Sequence, residues 1–195
     1  MTPEHVMARL RETEAILDGH FSLSSGRHSD RYVQCARLLA ATPVAAEMGA
    51  ALAALLPADV DLVVSPAMGG LIIGHEVARA RQLPFLFTER EDGAMVFRRG
   101  FAVPPGARAV VVEDVVTSGG SLLEAAAALR AAGGTLVAAA AIVDRSGGAK
   151  PDFGVPFHSL IALEVKTWSP QDCPLCAAGG TAVKPGSRHL GKTRA

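Results

Sequence analysis

The chain has 195 residues, enough for one domain with a sizeable core, and 49% of them are hydrophobic but only 5% aromatic, so the apolar content is mostly Ala, Val and Leu. Nineteen Lys plus Arg against nineteen Asp plus Glu give zero formal charge, which removes any electrostatic reason for broad nucleic-acid or membrane-surface binding. Three cysteines are too few for a disulfide framework, the early charges Glu4, Arg9, Arg11 and Glu12 do not suit a signal peptide, and Arg130, Gly133 and Asp144 interrupt the Ala-rich runs short of a membrane span. A soluble cytoplasmic protein is expected.

In chain order, Thr2 to Leu17 reads as a helix, with Thr2 as cap, Pro3 at the first helical position, and Val6, Leu10 and Leu17 on one face. Phe21 to Cys35 reads as two short strands joined at Gly26. Thr42-Pro43 opens a helix that ends near Leu56-Pro57. Asp61 to Ser65 is an apolar strand, followed by Gly69-Gly70 and a helix to about Arg81. Pro84 to Thr88 is the next strand. The polar stretch Glu89 to Gly106, with Gly93, Gly100, Pro104 and Pro105, reads as a long loop or flexible hairpin. Ala109 to Val112 is a buried strand, Gly120 to Ala132 a helix, Thr135 to Val143 a continuous apolar strand, and His158 to Val165 a further strand. Short apolar strands alternating with helices imply parallel pairing through right-handed crossovers. The Gly-, Pro- and base-rich residues from about Gly179 are expected to be loosely ordered.

The chemistry concentrates in Val110-Val111-Val112-Glu113-Asp114-Val115-Val116-Thr117-Ser118-Gly119-Gly120-Ser121. A buried strand places its loop at the carboxyl edge of a parallel sheet, where open α/β folds bind ligands. Thr117, Ser118, Gly119, Gly120 and Ser121 offer hydroxyls and approachable N–H groups at a helix N-terminus, which suits a phosphate monoester. Glu113 and Asp114 repel phosphate but can accept hydrogen bonds from two ribose hydroxyls, or lie near a hydrated Mg²⁺. One loop therefore fits a ribose 5-phosphate. The P-loop ending and the G-x-G-x-x-G pattern are both missing.

This segment resembles the binding signature for phosphoribosyl pyrophosphate (PRPP) in the type I phosphoribosyltransferases: a strand, two acids, two apolar residues, Thr and a small Gly-containing loop. Val63-Val64-Ser65-Pro66-Ala67-Met68-Gly69-Gly70-Leu71 resembles the family's pyrophosphate loop, where Met68, Gly69 and Gly70 would bind through their backbone. Alone it could equally be a plain turn. Phe21-Ser22-Leu23-Ser24-Ser25-Gly26-Arg27 is similar to the Phe-x-Leu-Lys-Ser-Gly-Arg segment of the orotate enzymes, with Ser24 in place of the lysine. Ile142-Val143-Asp144-Arg145 resembles their strand end, which carries an arginine to the base. Cys-Pro-Leu-Cys and Lys-Pro-Gly-Ser-Arg also occur in a subset of these enzymes.

The resemblance implies one domain with a central, mainly parallel sheet, helices on both faces, and a small hood from about residues 1–40 and 150–180 over a core of about 41–149, with a tail at about 181–195. It implies a Mg²⁺-dependent homodimer acting on PRPP and orotate, with the metal held mainly through PRPP and water and with no nucleic-acid or membrane partner. Residues 113–121, with Val115 and Val116 among them, would bind PRPP. Thr117 and Arg145 would contact orotate, whose carboxylate suits a guanidinium. Asp114 would be catalytic, as would Arg90, which matches the arginine that opens the family's mobile loop. That loop lacks the family's lysines and histidine here, so Arg98 and Arg99 are the candidate cations; as a solvated hairpin rim they would have no such role. The alternatives are a purine phosphoribosyltransferase and a PRPP-sensing regulator. Tyr32 could flank the base or pack in the core, and Trp168 is expected to pack. Cys173-Pro174-Leu175-Cys176 has the spacing of half a zinc site but needs His189 or a partner chain to complete it, so a packed turn is the expectation. His20, His28, His75 and His158 are scattered.

Overall fold

The computed structural model describes residues 1–23, 25–149 and 152–185. Helix α1 (Pro3–Glu12) starts as expected: the Thr2 hydroxyl accepts from the His5 N–H, and Pro3 occupies the first turn. It ends earlier than the periodicity predicts. Glu14 takes a left-handed φ of 50°, and the Ala15 N–H returns to the Leu10 carbonyl. Leu17 therefore lies in strand β1 (Ile16–Ser22), which pairs antiparallel with β2 (His28–Val33). Helix α2 (Cys35–Ala40) is an addition to the sequence reading; it is only six residues long, and Ala41 separates it from α3 (Thr42–Ala53).

Strand β3 (Leu62–Pro66) leads into α4 (Gly70–Arg81), and β4 (Phe85–Glu91) follows. The polar stretch after Thr88 is a hairpin: β4 turns at Asp92-Gly93, both at positive φ, into β5 (Ala94–Phe97). Two left-handed residues match the twist of a tight β-hairpin. Strand β6 (Arg108–Val116), helix α5 (Gly120–Ala131), strand β7 (Thr135–Asp144) and strand β8 (Phe157–Ala162) complete the main sheet. Its order is β5-β4-β3-β6-β7-β8, parallel except for the β4–β5 hairpin.

The apolar strands are continuous because both faces are covered. Val63, Val110, Val112, Ala138, Ala140 and Ile142 face the core shared with α1–α4. Leu62, Val64, Ala109, Val111, Ala139 and Ala141 face α5. A second sheet, order β1-β2-β9, joins the N-terminal hairpin to β9 (Thr167–Trp168), and the short α6 (Pro174–Ala177) follows. Residues 180–185 are better held than their composition predicts: Val183 exchanges backbone hydrogen bonds with His20 and Ser22. No helix among the described residues is long and apolar enough to cross a membrane.

Candidate active site

The carboxyl end of β6 carries Glu113 and Asp114 into a largely buried position against Gly69 and Gly70. Glu113 is 8% exposed. Burial first, and the adjacent Asp114 charge second, push the Glu113 carboxyl up to about 8. Burial also raises Asp114, although the Val115 N–H donates to its Oδ1 at 2.7 Å and counteracts part of that. The pair therefore holds a proton more readily than two free carboxylates, and a ligand that offers hydroxyl donors or a cation would release it.

Beyond the acids the chain opens. Val116 is buried as the loop's anchor, while Thr117, Ser118 and Ser121 are exposed. Gly119 sits before α5 at φ 74°, and no side chain caps the helix. The first α5 N–H groups thus remain available to an anion. Glu113 and residues 115–122 line a cavity of ≈ 60 Å³ here. Its size and polarity match a phosphate group.

The β3–α4 loop stands directly opposite. A β-carbon at Gly70 would lie 2.8 Å from the Val112 carbonyl oxygen, and one at Gly69 would lie 2.7 Å from Asp114 Oδ1. The Ala67–Met68 peptide is cis, and the Met68 side chain is 81% exposed, so this loop offers backbone rather than side chains at the acids. Met68, Gly69 and Gly70 are thus brought to Glu113 and Asp114.

A larger cavity, ≈ 420 Å³, is lined by Ser22, Leu23, Ser25, Tyr32, Thr117, Arg145, Lys184 and Pro185. It shares Thr117 with the smaller one. Arg145 reaches it because its N–H donates to the Val116 carbonyl at 2.7 Å, tying the end of β7 to the β6 loop. Its Nε is buried without a hydrogen-bond partner among the described residues. Burial lowers the Arg145 pKa from its ordinary value, which makes an incoming carboxylate a favourable partner. Tyr32 lines the cavity and also lies beside Phe21, with ring centroids 5.8 Å apart. Lys184 is a cation that residue-by-residue reasoning missed; its only signal was the Lys-Pro-Gly-Ser-Arg resemblance. Ser24 lies outside the described residues, as do Arg188 and His189.

The hairpin arginines are elsewhere. Arg90 donates to the Gly93 carbonyl and pairs with Glu124; Arg98 pairs with Glu91 at 3.3 Å; Arg99 pairs with Glu89 at 2.8 Å and lies over the Phe87 ring. None of the three lines either cavity. They occupy the rim of the hairpin within this chain. His20 and His28 are not scattered, as the sequence suggests, but meet Cys173 and Cys176 in one cluster. The β1–β2 pairing and the return of Val183 onto His20 bring them together, and neither is visible as spacing.

Residues 38–175 match the family model described as the phosphoribosyl transferase domain. The chain is 53% identical over 194 residues to an orotate phosphoribosyltransferase of Sphingopyxis alaskensis, covering 97% of this chain and 99% of that one. It is 51% identical to the Heliobacterium modesticaldum protein of the same name, covering 96% of this chain and 100% of that one. Among solved structures, the orotate phosphoribosyltransferase of Aeropyrum pernix superposes with a TM-score of 0.68 at 30% identity, over 81% of this chain and 93% of that one. The chain belongs to the phosphoribosyltransferase family and, within it, groups with the orotate phosphoribosyltransferases.

Proposed function

We propose that this protein transfers the 5-phosphoribosyl group of PRPP to orotate, giving orotidine 5′-monophosphate and pyrophosphate. The observation that carries this reading is the meeting of two cavities at Thr117: a small polar one at the α5 N-terminus, and a larger one whose wall holds the half-buried Arg145. A ribose laid between them would put its 5-phosphate on residues 117–121, its hydroxyls on Glu113 and Asp114, and its base position toward Arg145. Val115 and Val116 form the backbone wall beside the sugar.

The residues need perform no covalent chemistry. The C1–O bond to pyrophosphate loosens, the anomeric carbon gains oxocarbenium character, and the orotate nitrogen attacks, its N–H proton passing to the departing pyrophosphate or to solvent. Positioning and charge stabilisation supply the rate. The backbone of Met68, Gly69 and Gly70 holds the leaving group close to the acids. Hard carboxylate oxygens on Glu113 and Asp114 suit Mg²⁺, directly or through water. When bound with PRPP, the ion neutralises charge on the departing pyrophosphate. Asp114 orients the ribose at the reacting carbon, and Arg145 orients orotate through its carboxylate.

The hairpin completes the reading. In this chain Arg90, Arg98 and Arg99 are turned to acids of the hairpin and of α5, so we assign them to the neighbouring site of a homodimer, where they would cover pyrophosphate and exclude water. A cytoplasmic location follows from soluble, diffusible substrates. The test is the loss of orotate ultraviolet absorbance with purified protein. Consumption that requires both PRPP and Mg²⁺ is expected. Turnover of a purine with orotate untouched would replace the base assignment while leaving the PRPP site in place, and PRPP binding without turnover of any base would favour the regulator.

A further inference from the structure

We propose that His20, His28, Cys173 and Cys176 form a structural zinc site that fastens the C-terminal segment to the β1–β2 hairpin and so fixes one wall of the base cavity. The four side chains come from two distant stretches of the chain. The hairpin supplies His20 from β1 and His28 from β2. The turn into α6 supplies Cys173 and Cys176, spaced as a C-x₂-C pair. One ligand atom from each lies within 4.8 Å of all the others.

Hydrogen bonding does not account for this arrangement. His20 Nε2 stands 3.0 Å from His28 Nδ1, 3.4 Å from Cys173 Sγ and 3.7 Å from Cys176 Sγ. A neutral imidazole nitrogen has one hydrogen or one lone pair to offer, so it can satisfy only one of these three. His28 Nδ1 is likewise 3.3 Å from Cys176 Sγ as well as 3.0 Å from the other ring. The four atoms converge on a common centre instead of pairing off. A tetrahedral zinc with bonds of about 2.3 Å to sulfur and about 2.0–2.1 Å to nitrogen has edges of about 3.3 Å between nitrogens and about 3.5 Å between nitrogen and sulfur. The observed separations fall close to those edges. Two thiolates and two imidazoles in a tetrahedral set select zinc among the common divalent metals. Four protein ligands leave no open position, which marks the site as structural.

The consequence for the fold is local. Val183 donates to the His20 carbonyl and accepts from the Ser22 N–H, and Lys184 and Pro185 follow directly into the base cavity. A zinc held by His20 pins this strand-like return at the same residue. The metal therefore stabilises the cavity wall without touching a substrate, and the assignment does not depend on which base is used.

The experiment uses the full chain purified under reducing conditions without chelator. Elemental analysis is expected to give about one zinc per chain. Cys176→Ser and His28→Ala are expected to lose most of it, while His75→Ala, at an exposed histidine outside the cluster, keeps it. Should those variants fail to fold, the wild-type protein still decides. Chelator-stripped protein given Co²⁺ is expected to show the intense d–d bands of a tetrahedral ion and thiolate-to-cobalt charge transfer. Amide hydrogen exchange is expected to accelerate across residues 173–185 in stripped protein and to slow again with zinc. Wild-type protein with no metal, cobalt bound only with the weak spectrum of an octahedral ion, or a Cys173–Cys176 disulfide that persists after reduction would each overturn the proposal.

Discussion

Gly69 and Asp114 stand so close that a β-carbon on the glycine would lie 2.7 Å from Asp114 Oδ1 and 3.2 Å from Glu113 Oε1. The contact joins the loop after β3 to the end of β6, and it explains a small residue at 69 by packing alone. Gly69→Ala must displace the carboxylate or the loop, and each holds a different end of PRPP in the proposed reading. A displacement of about 1 Å in such a site costs about a hundredfold in rate. The expected result is a fall of about that size in kcat/KM for PRPP, with a melting temperature close to wild type because the loop is at the surface. Steady-state kinetics beside a thermal melt test it; unchanged kinetics would detach Gly69 from the reaction.

Glu113 gives the site a pH dependence whose sign can be worked out. Its carboxyl ordinarily titrates near 4.5, and burial with Asp114 beside it pushes that up to about 8. Between those values the free protein keeps a proton that the ribose-binding, charged form must give up. PRPP affinity is therefore expected to rise with pH across that window and then level off, with proton release on binding. Calorimetry in two buffers of different ionisation enthalpy measures the release. The same shift makes ligand-free stability greatest at the acid end and progressively lost as pH rises toward 8, because the folded state binds the proton more tightly than the unfolded chain. Glu113→Gln should flatten both profiles while weakening PRPP binding. A Gln variant with the wild-type pH profile would assign the titration to another group.

Much of this site was legible in the sequence because its chemistry sits in contiguous segments. Residues 113–121 form a strand end, a loop and a helix start in that order, and in the proposed reading each residue type suits one part of a ribose phosphate. The Gly69–Asp114 contact was not legible, since it depends on how β3 and β6 lie side by side in the sheet. The zinc cluster shows the same limit more sharply. Cys173 and Cys176 announce themselves by spacing, but their partners are more than a hundred positions away and meet them only through the β1–β2 hairpin and the return of Val183. Helix α1 was drawn too long for a local reason. Leu17 keeps the helical period, and only the left-handed Glu14 ends the helix before it.

Arg145 is expected to separate the two substrates kinetically. It lines the larger cavity, its Nε has no hydrogen-bond partner among the described residues, and burial already disfavours its isolated charge. A carboxylate pairing with it would contribute about 1.5–3 kcal/mol, so Arg145→Ala is expected to raise the orotate KM by about ten- to a hundredfold. The PRPP KM should barely move. Arg145→Lys should recover only part of the loss, because an ammonium cannot reproduce two parallel hydrogen bonds. Equal increases in both KM values would show that the arginine supports the loop, through its backbone contact to Val116, and does not recognise the base.

The hairpin arginines permit a test that distinguishes action in the neighbouring site from action in their own. Arg98 and Arg99 pair with Glu91 and Glu89 on the same hairpin, and neither lines the two cavities that meet at Thr117. Exposed pairs of this kind are worth little, so another anion can draw the arginines away. The Arg98→Ala, Arg99→Ala double variant is expected to lose kcat with little change in orotate KM, and Asp114→Asn is expected to be inactive on its own. Mixed and allowed to exchange subunits, the two form hybrids in which one site combines an intact hairpin with an intact acid pair. Random pairing puts half of the dimers in that class with one working site of two, so about a quarter of wild-type activity should return. No recovery from subunits shown by mass spectrometry to have exchanged would place the arginines at the site of their own chain, or outside catalysis altogether.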